Sequence, residues 1–384
     1  MAELGSREPS RIDRAPSGIA ESLPAPVVSV VVPARDAGAT IGETITSVLR
    51  QTVADWELIV VDDGSRDETV ARVQGFDDPR VRVISSERRG LGAARNLGLD
   101  SAVGEFVAFL DADDLWASDK LESHVEALRA QPRAAFVYAW TLFIDEKSRY
   151  LFAKRPKSTQ GDVSMALQCE YFLASGSNLF ARRSVALAVG GFDEALWAAQ
   201  DWDFALRLAR QGELALVPRF QVFYRIAEGA LSSDADRSAS ACRTVVRQNA
   251  EPGSSASWHR AASRSIREYQ VFLLLSRSPA MDFQRRARRV LRRGIADDPG
   301  WITSMAMWKL SATAFACSVV PSPLRRRLIF ALLRLTGAWQ WFRHRPVRTA
   351  LADVPTRARS HLQPADRGSA PLSSMGGAAS DRVG

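Results

Sequence analysis

"EFVAFLDADDLW", residues 105–116, is the stretch that decides the fold. Five apolar residues, 106–110, run directly into three acids, Asp111, Asp113 and Asp114. A continuous apolar run of this length is typical of a strand that is covered on both faces. Clustered carboxylates repel one another and are costly to bury without partners. Two interpretations follow: an Asp-rich turn that leads into a helix, or a divalent-cation site positioned by the end of a rigid strand.

Strand and helix patterns alternate at short intervals on the N-terminal side of this stretch. Two capping-box patterns, Thr40-x-x-Glu43 and Ser65-x-x-Glu68, predict helix starts, and residues 90–102 predict a third helix. Short strands that alternate with helices indicate parallel βα units in a doubly wound sheet. The apolar runs that predict strands lie at 27–33, within 56–65, at 81–85 and at 106–110.

The ends of these predicted strands carry polar groups. Asp62 and Asp63 end the second strand, and Asp111, Asp113 and Asp114 end the fourth. In doubly wound sheets, ligands bind beyond the carboxyl ends of the strands. Neither G-x-G-x-x-G after the first strand nor a P-loop is present. A phosphate site without a glycine cradle needs another source of positive charge, and a divalent cation held by carboxylates is the usual one.

The cysteine content and the composition of the two ends of the chain indicate what kind of protein this is. The chain has 384 residues, a formal net charge of +8 and three cysteines that lie far apart. This cysteine usage indicates neither a disulfide framework nor a zinc site, and it fits a cytoplasmic location. Residues 1–26 are polar with several prolines and predict a disordered leader, and residues 351–384, rich in Pro, Gly, Ser and Ala, predict a disordered tail.

Five motifs follow one another between residues 27 and 226: "VSVVVPARDAGATIGETITSVLRQT", "ELIVVDDGSRDET", "GLGAARNLGL", "FLDADD" and "GGFDEALWAAQDWDFALRLARQG". Together they resemble the motifs of the family 2 glycosyltransferases. The resemblance implies an inverting enzyme with an α/β fold of the GT-A type, a doubly wound and mostly parallel sheet, here followed by an α-helical C-terminal region. It implies a glycosyltransferase domain at 27–228.

The resemblance also implies where the nucleotide of a nucleotide-sugar donor binds. Pro33 and Arg35 would line the nucleobase pocket, and Asp63 would hydrogen-bond the base. Arg95 would lie near the base or the phosphates. The aromatic-Asn pair that is common after the first strand's proline is replaced by Arg35-Asp36, which bears on the identity of the donor.

The same resemblance implies the catalytic and metal-binding acids. Asp111 and Asp113 form the D-x-D pattern, with Asp111 toward the ribose or the metal and Asp113 on Mg²⁺ or Mn²⁺. Asp201 matches the general base, although the preceding position, usually Glu, is Gln200. On position alone, Asp201 also fits a helix N-cap. Asp203 is interpreted as a first-turn acid favoured by the helix dipole.

Three further residues are candidates for contact with the acceptor or the donor sugar. Ser177 and Asn178 lie in "GSNLFARRS", which resembles the segment beside the base, and Trp202 could stack on a sugar face. Each has a structural alternative: a strand that enters from a turn for Ser177 and Asn178, and core packing for Trp202.

The C-terminal part of the chain is strongly basic. Residues 260–348 contain 18 Lys and Arg against 4 Asp and Glu. The patterns at 281–295 and 324–342 predict basic amphipathic helices within a region spanning 229–350, which suits an anionic membrane surface or a helical domain with its own core. Residues 301–320 carry Lys309 and several hydroxyls, so they predict an interfacial or buried segment and not a transmembrane one.

We therefore predict a metal-assisted inverting glycosyltransferase that acts on a glycan or a lipid-linked acceptor, cytoplasmic or peripheral on the inner membrane face. A processive polysaccharide synthase is the alternative within the class, but it would carry Q-x-x-R-W and transmembrane helices. A sugar nucleotidyltransferase would open its first strand into a glycine-rich loop, which "PARDAGAT" is not. Nucleic-acid binding would explain the basic C-terminus but not the acidic strand ends, which repel phosphates.

Overall fold

The computed structural model describes residues 26–153, 156–227, 234–250, 256–277 and 283–319. Nine strands of these residues form one sheet, in the order third, second, first, fourth, eighth, sixth, ninth and fifth, with the seventh beside the sixth. The strands are β1 (Val28–Ala34), β2 (Trp56–Asp62), β3 (Val81–Ser85), β4 (Phe106–Phe109), β5 (Leu115–Trp116), β6 (Ala134–Ile144), β7 (Tyr150–Ala153), β8 (Phe180–Arg182) and β9 (Glu213–Arg225).

The predicted parallel arrangement is confirmed for the first four strands. β1 pairs in parallel with β2 and with β4, and β2 pairs in parallel with β3. The other half is mixed, because β8 lies antiparallel between β4 and β6 while β6 and β9 run parallel. In register, Ala34 faces Asp62 and Val31 faces Phe109. The polar ends of β1, β2 and β4 therefore meet at one edge of the sheet.

Helices cover both faces of this sheet and continue beyond it. The α-helices of the described residues are α1 (Ile41–Leu49), α2 (Thr69–Gln74), α3 (Leu91–Ser101), α4 (Lys120–Ala130), α5 (Ser164–Cys169), α6 (Arg183–Ala188), α7 (Gln200–Ala209), α8 (Ala235–Gln248), α9 (Ala256–Arg277), α10 (Phe283–Asp297) and α11 (Met305–Val319).

The prediction of two capping boxes is wrong, although both of the predicted helices are present. The Thr40 side chain makes no cap at α1, and its hydroxyl donates to the Ala112 carbonyl at 2.9 Å. The second helix begins only at Thr69, and the Ser65 hydroxyl accepts from the Asp36 N–H at 2.9 Å. Neither hydroxyl caps its helix, because each forms a hydrogen bond with another loop at the carboxyl edge of the sheet.

Two apolar layers pack on opposite faces of the sheet, as the period-two direction of strand side chains requires. Val28, Val30 and Val32 of β1 belong to the layer that includes α1 and α4. Val31 belongs to the other layer, which includes α3 and α7. All four valines are fully buried, as predicted for a strand covered on both faces.

The second of these layers continues past the predicted boundary at residue 228. Ala239, Cys242 and Val245 of α8 and Trp258 and Ile266 of α9 are buried in the same apolar cluster as α3 and α7. The packing of the core therefore does not divide at residue 228, and a truncation there would expose apolar surface of the transferase layer.

The apolar stripe of α10 packs in a core of its own. Phe283, Ala287 and Val290 are buried together with Trp301, while Ile295 at the end of the stripe is 38% exposed. The membrane prediction is therefore wrong for this apolar face, and the alternative of a helical core describes it. The second basic helix, at 324–342, lies outside the described residues, as do residues 1–25 and the tail. No helix in the described ranges is long and apolar enough to cross a bilayer.

Candidate active site

The three acids of the opening stretch lie on a tight turn that directly follows β4. The Asp114 N–H donates to the Asp111 carbonyl at 3.0 Å, which closes the turn. The Thr44 hydroxyl lies 3.0 Å from the carbonyl oxygens of both Ala112 and Asp114. Since these backbone carbonyls are occupied, the turn offers a ligand chiefly the carboxylates of Asp111 and Asp113.

A buried arginine fixes the same turn from the opposite side. Arg225, the last residue of β9, donates from Nε to the Asp113 carbonyl at 2.6 Å. Its Nη2 pairs with Glu43 at 2.9 Å, and its Nη1 donates to the Ser148 hydroxyl at 2.8 Å. The side chain of Arg225 is only 2% exposed. Glu43 thus anchors this arginine instead of completing a capping box.

Asp114 is a structural acid. It is fully buried, its Oδ1 accepts from the Arg225 N–H at 2.8 Å, and the Ser177 hydroxyl lies 2.5 Å from its Oδ2. Burial, followed by the neighbouring charges of Asp113 and Asp111, raises the pKa of Asp114 well above its usual range. Of the three acids, this one therefore holds the turn in place and is not exposed to a ligand.

Asp114→Asn should make the protein relatively more stable as the pH rises. With a raised folded pKa, Asp114 contributes less to stability as the pH climbs above its unfolded value of 3.8. Asparagine still accepts from the Arg225 N–H, its amide donates to the Ser177 hydroxyl in place of accepting from it, and it does not titrate. We expect the Tm of the variant minus that of wild type to increase between about pH 4.5 and 8, measured by calorimetry.

Asp162→Asn provides a control with a pKa shift of opposite sign. Hydrogen bonds from Ser164 lower the pKa of exposed Asp162, so its contribution to stability is present at neutral pH and lost in acid. Since this contribution is complete above the unfolded pKa of 3.8, the Tm difference of that variant should stay flat over the same pH range. A Tm difference for Asp114→Asn that falls with pH would contradict the assignment.

Arg95 joins the turn to the rest of the edge. It lies on α3, is 3% exposed, and pairs from Nη2 with Asp111 at 2.6 Å. Its Nη1 donates to Gln200 at 3.4 Å, so the amide at the position where glutamate is usual still contacts the arginine. Gly176 leaves room for this pair, because a Cβ there would lie 2.6 Å from Nη2. Burial opposes the charge of Arg95, but Asp111 and Asp201 raise its pKa.

Asp201 completes the cluster from the first turn of α7. This helix begins at Gln200 with Ala199 as its N-cap residue, so the N-cap alternative for Asp201 is wrong. The half-buried carboxylate accepts from the Trp202 N–H at 3.0 Å. Burial raises the pKa of Asp201, while Arg95 and a hydrogen bond from the Tyr171 hydroxyl oppose that rise. Asp201 is thus a carboxylate of increased basicity beside a fixed cation.

Asp203, two residues further along α7, points elsewhere. It is buried, pairs with Arg207 at 2.6 Å and accepts from the Asn249 side chain at 3.0 Å. Asn249 follows α8, so Asp203 connects α7 to that helix. The prediction that Asp203 is a structural acid of the first turn agrees with these contacts.

The residues predicted to bind the nucleotide lie at the same edge. Pro33 is buried within β1, and Arg35, just beyond it, is exposed. Asp63 is 4% exposed, and its two carboxylate oxygens accept from the N–H groups of Arg89 and Gly90 at 2.7 and 2.9 Å. In this conformation Asp63 holds the loop before α3, and its contact with a base stays a prediction.

The structure does not support the three candidates for sugar contact. Ser177 is fully buried at the Asp114 carboxylate. Asn178 is fully buried too, and its amide is bonded on both sides to the backbone of Ala139. Trp202 is 3% exposed and donates from its indole N–H to the Leu167 carbonyl at 2.7 Å. The structural alternatives therefore describe all three, because none presents a free face to the cleft.

The donor set suits a divalent cation that is shared with a substrate. No group of three or more His, Cys, Asp or Glu within the described residues is arranged to hold a metal ion. Magnesium, however, is commonly bound by one or two carboxylates together with substrate phosphates. Asp111 has a side chain 25% exposed and Asp113 is half-buried at the same turn. These two hard oxygen donors fit such an ion.

Sequence reasoning missed two residues of this site. Tyr171 lies in a stretch without periodicity or motif, yet its hydroxyl hydrogen-bonds Asp201. Arg225 could have been noticed as a charged residue at the end of the apolar run of β9. That signal alone does not indicate a contact with a turn 112 residues away in the chain.

A mixed sheet of this order, with acids on the turn after its fourth strand and another acid on a facing helix, has the arrangement of the GT-A fold. The chain belongs to glycosyltransferase family 2. Residues 29–190 match the family model described as Glycosyl transferase family 2. The resemblance seen in the sequence motifs is thereby confirmed.

Two relatives and one solved structure illustrate this membership. The succinoglycan biosynthesis protein ExoO of Rhizobium meliloti is 32% identical over 268 residues, which cover 65% of this chain and 76% of that protein. The glucosyltransferase WfgD of Escherichia coli, named UDP-Glc:alpha-D-GlcNAc-diphosphoundecaprenol beta-1,3-glucosyltransferase, is 42% identical over 113 residues, 29% of this chain. That match spans only 44% of WfgD. Staphylococcus aureus TarS 1–349, solved with UDP-GlcNAc, is 17% identical with a TM-score of 0.51 and shares the fold over 81% of this chain and 93% of that one.

Proposed function

We propose that this protein transfers a sugar from a nucleoside-diphosphate sugar to an acceptor hydroxyl with inversion at the anomeric carbon. The observation that carries the proposal is the cluster in which Arg95 lies between Asp111 of the D-x-D turn and Asp201 of α7. The proposal is supported because Asp201, as the base, and the acids of the D-x-D turn, as ligands of the diphosphate-bound cation, would lie on two sides of one buried arginine.

Asp201 is the general base in this proposal. An acceptor hydroxyl becomes a competent nucleophile only as its proton is removed, and a carboxylate with a raised pKa removes it more readily. The Tyr171 hydroxyl and the backbone N–H of Trp202 orient the carboxylate. A single base opposite the leaving group gives in-line attack and hence an inverted product.

Asp111 and Asp113 would hold a Mg²⁺ or Mn²⁺ ion, which when bound supplies positive charge to the departing nucleoside diphosphate. The chain's own contribution is the rigid turn, which Arg225 and Thr44 hold through its carbonyls. Pro33, Arg35 and Asp63 at the ends of β1 and β2 would receive the nucleoside.

We further propose a glycan or a lipid-linked oligosaccharide as the acceptor. The printed names of the two relatives support this, since one concerns succinoglycan biosynthesis and the other a diphosphoundecaprenol-linked sugar. The activity would then belong to polysaccharide assembly for the cell surface, with the enzyme cytoplasmic at the inner membrane face. A processive synthase would use the same kind of site, but Q-x-x-R-W is absent from the sequence, and so is the glycine-rich loop of a nucleotidyltransferase after the first strand.

A screen of donors tests the proposal. UDP-, GDP- and dTDP-sugars are incubated with the protein and Mn²⁺, and release of the nucleoside diphosphate is followed. We expect release from one donor class, stimulated by a sugar diphosphate-lipid acceptor, and a product whose anomeric configuration by NMR is opposite to that of the donor. Retention of configuration, or formation of a nucleoside triphosphate and a sugar phosphate from the nucleoside-diphosphate sugar and added pyrophosphate, would contradict the proposal.

A further inference from the structure

A second cavity lies away from the D-x-D turn, among the C-terminal helices α8, α9 and α10. Its volume is about 600 Å³, which is large enough for a ligand of several groups. Each helix lines it with one face, as the helical spacing of Asp236, Ser240 and Arg243 on α8 shows. Ile266 and Val290 contribute apolar wall.

The lining of this cavity is rich in arginine. The five arginines are Arg243, Arg260, Arg267, Arg289 and Arg293. Among the residues that the structure describes, only three acids line the cavity, and each forms an ion pair with an arginine. The pairs are Asp236–Arg289 at 3.4 Å, Asp297–Arg267 at 3.3 Å and Asp298–Arg264 at 3.2 Å. No acid of the described residues pairs with Arg243, Arg260 or Arg293. The cavity therefore holds an excess of positive charge.

Arg267 is an incompletely satisfied cation in the wall of this cavity. The residue is 8% exposed, and its Nη1 is buried without a hydrogen-bond partner. A buried guanidinium donor left unpaired costs free energy, and a bound acceptor group would recover it. The guanidinium lies 5.2 Å from the ring of Trp301, which fixes its position. Burial and the nearby charges of Arg243 and Arg264 lower the pKa of Arg267, while Asp297 and Asp298 oppose this.

The geometry points to a second binding site, in which this arginine-lined cavity receives a phosphate- or diphosphate-bearing ligand. Guanidinium groups on three helices can surround an anion with several oxygens, and Arg pairs with phosphate by two parallel hydrogen bonds. The volume exceeds that of a phosphate alone, so part of the attached group would also enter.

The cavity is adjacent to the transferase site through α8. Cys242 of this helix is buried in the same apolar cluster as α7, the helix that carries Asp201, and the next residue, Arg243, lines the cavity. Asn249, just beyond α8, bonds Asp203 of α7. A phosphate group held in the cavity would therefore lie one helix away from the proposed base. Two sources share this chemistry: a diphosphate that carries a sugar or lipid, and the headgroup of an anionic phospholipid.

Binding of inorganic pyrophosphate to the full-length protein, measured by calorimetry in EDTA, is the first arm of the test. Without a divalent cation, the D-x-D acids disfavour the anion. We expect Arg243→Gln/Arg293→Gln to weaken binding about tenfold or more, since two charge-assisted contacts are lost. The matched control Arg247→Gln/Arg288→Gln removes two exposed charges from the same helices outside the cavity lining and should bind like wild type.

Flotation with phosphatidylglycerol vesicles, with phosphatidylcholine vesicles for comparison, is the second arm. Selective loss of pyrophosphate binding in the cavity variant supports the site with a diphosphate as its ligand. Weak pyrophosphate binding with vesicle binding that only the cavity variant loses supports the site with a lipid headgroup as its ligand. Absence of binding in both arms, or equal losses in the cavity and control variants, would overturn the proposal. Neither readout requires glycosyl transfer, so the result is independent of the proposed function.

Discussion

Asp113→Ala should abolish glycosyl transfer, with a loss of about 10³-fold or more in kcat/KM, the scale of several kcal/mol of charge stabilisation. The variant removes one of the two carboxylates that the turn after β4 offers to a cation. Its backbone carbonyl, which Arg225 holds at 2.6 Å, is retained, so the turn should stay in place. We expect the Mn²⁺-dependent increase in the Tm of the protein with the nucleoside diphosphate of its donor, identified in the screen, to disappear, while the Tm without nucleotide changes little.

Asp114→Asn is the matched control for this experiment, because it alters the neighbouring acid of the same motif. Asp114 is fully buried and bonded to Arg225 and Ser177, so its charge has no path to a ligand. That variant should keep the Mn²⁺-dependent Tm shift and most of the activity. Metal-dependent transfer by Asp113→Ala, or equal losses in the two variants, would show that Asp113 is not a ligand.

Asp201→Asn should lower kcat by about 10²-fold or more, the scale of general-base catalysis, with little change in donor affinity. Asparagine keeps the shape of the side chain and the hydrogen bond from the Trp202 N–H but cannot take up a proton. The measurement is steady-state transfer with the donor found in the screen, combined with calorimetric binding of that donor.

Asp203→Asn is the control that distinguishes a loss of catalysis in Asp201→Asn from a loss of stability. Asp203 pairs with Arg207 and contacts Asn249 but does not join the Arg95 cluster. We expect that variant to melt at a lower temperature and to keep its kcat. Near-normal turnover of Asp201→Asn would reject Asp201 as the base.

The pH profile gives an independent test of the same residue. Because burial raises the pKa of Asp201, the base should become protonated at a higher pH than an exposed aspartate with its value of 3.8. The kcat of wild type should therefore fall as the pH decreases through that raised pKa, and Asp201→Asn should lose this acid limb. Persistence of the limb in the variant would assign it to another group.

Local patterns in the sequence determined the first four strands and the position of the acids at their ends. Apolar runs that face both layers, such as 27–33, are encoded by neighbours in the chain, because strand side chains alternate and both faces are covered. The resemblance of the motifs to the family also implied that Asp201 and Arg95 belong to the site. The existence of helices α1, α2 and α3 also followed from the sequence.

Contacts between distant parts of the chain decided what the sequence left open. Arg225 hydrogen-bonds the carbonyl of Asp113, 112 residues away in the chain. The Thr40 hydroxyl, predicted to cap α1, instead bonds the carbonyl of Ala112, 72 residues away. No local pattern encodes such pairs, because they depend on which loops the sheet brings together. The same holds for the third acid, Asp114, which is identical in type to its neighbours and differs only in being buried.

The basic helix α10 also shows which features depend on the local sequence and which depend on tertiary contacts. The sequence determined that α10 has one apolar and one arginine-rich face, since that depends only on helical spacing. It could not decide whether the apolar face meets a membrane or another helix, because both environments remove it from water. The tertiary structure decided this, because Phe283, Ala287 and Val290 pack with Trp301, while Arg289 and Arg293 of the other face line a cavity with α8 and α9.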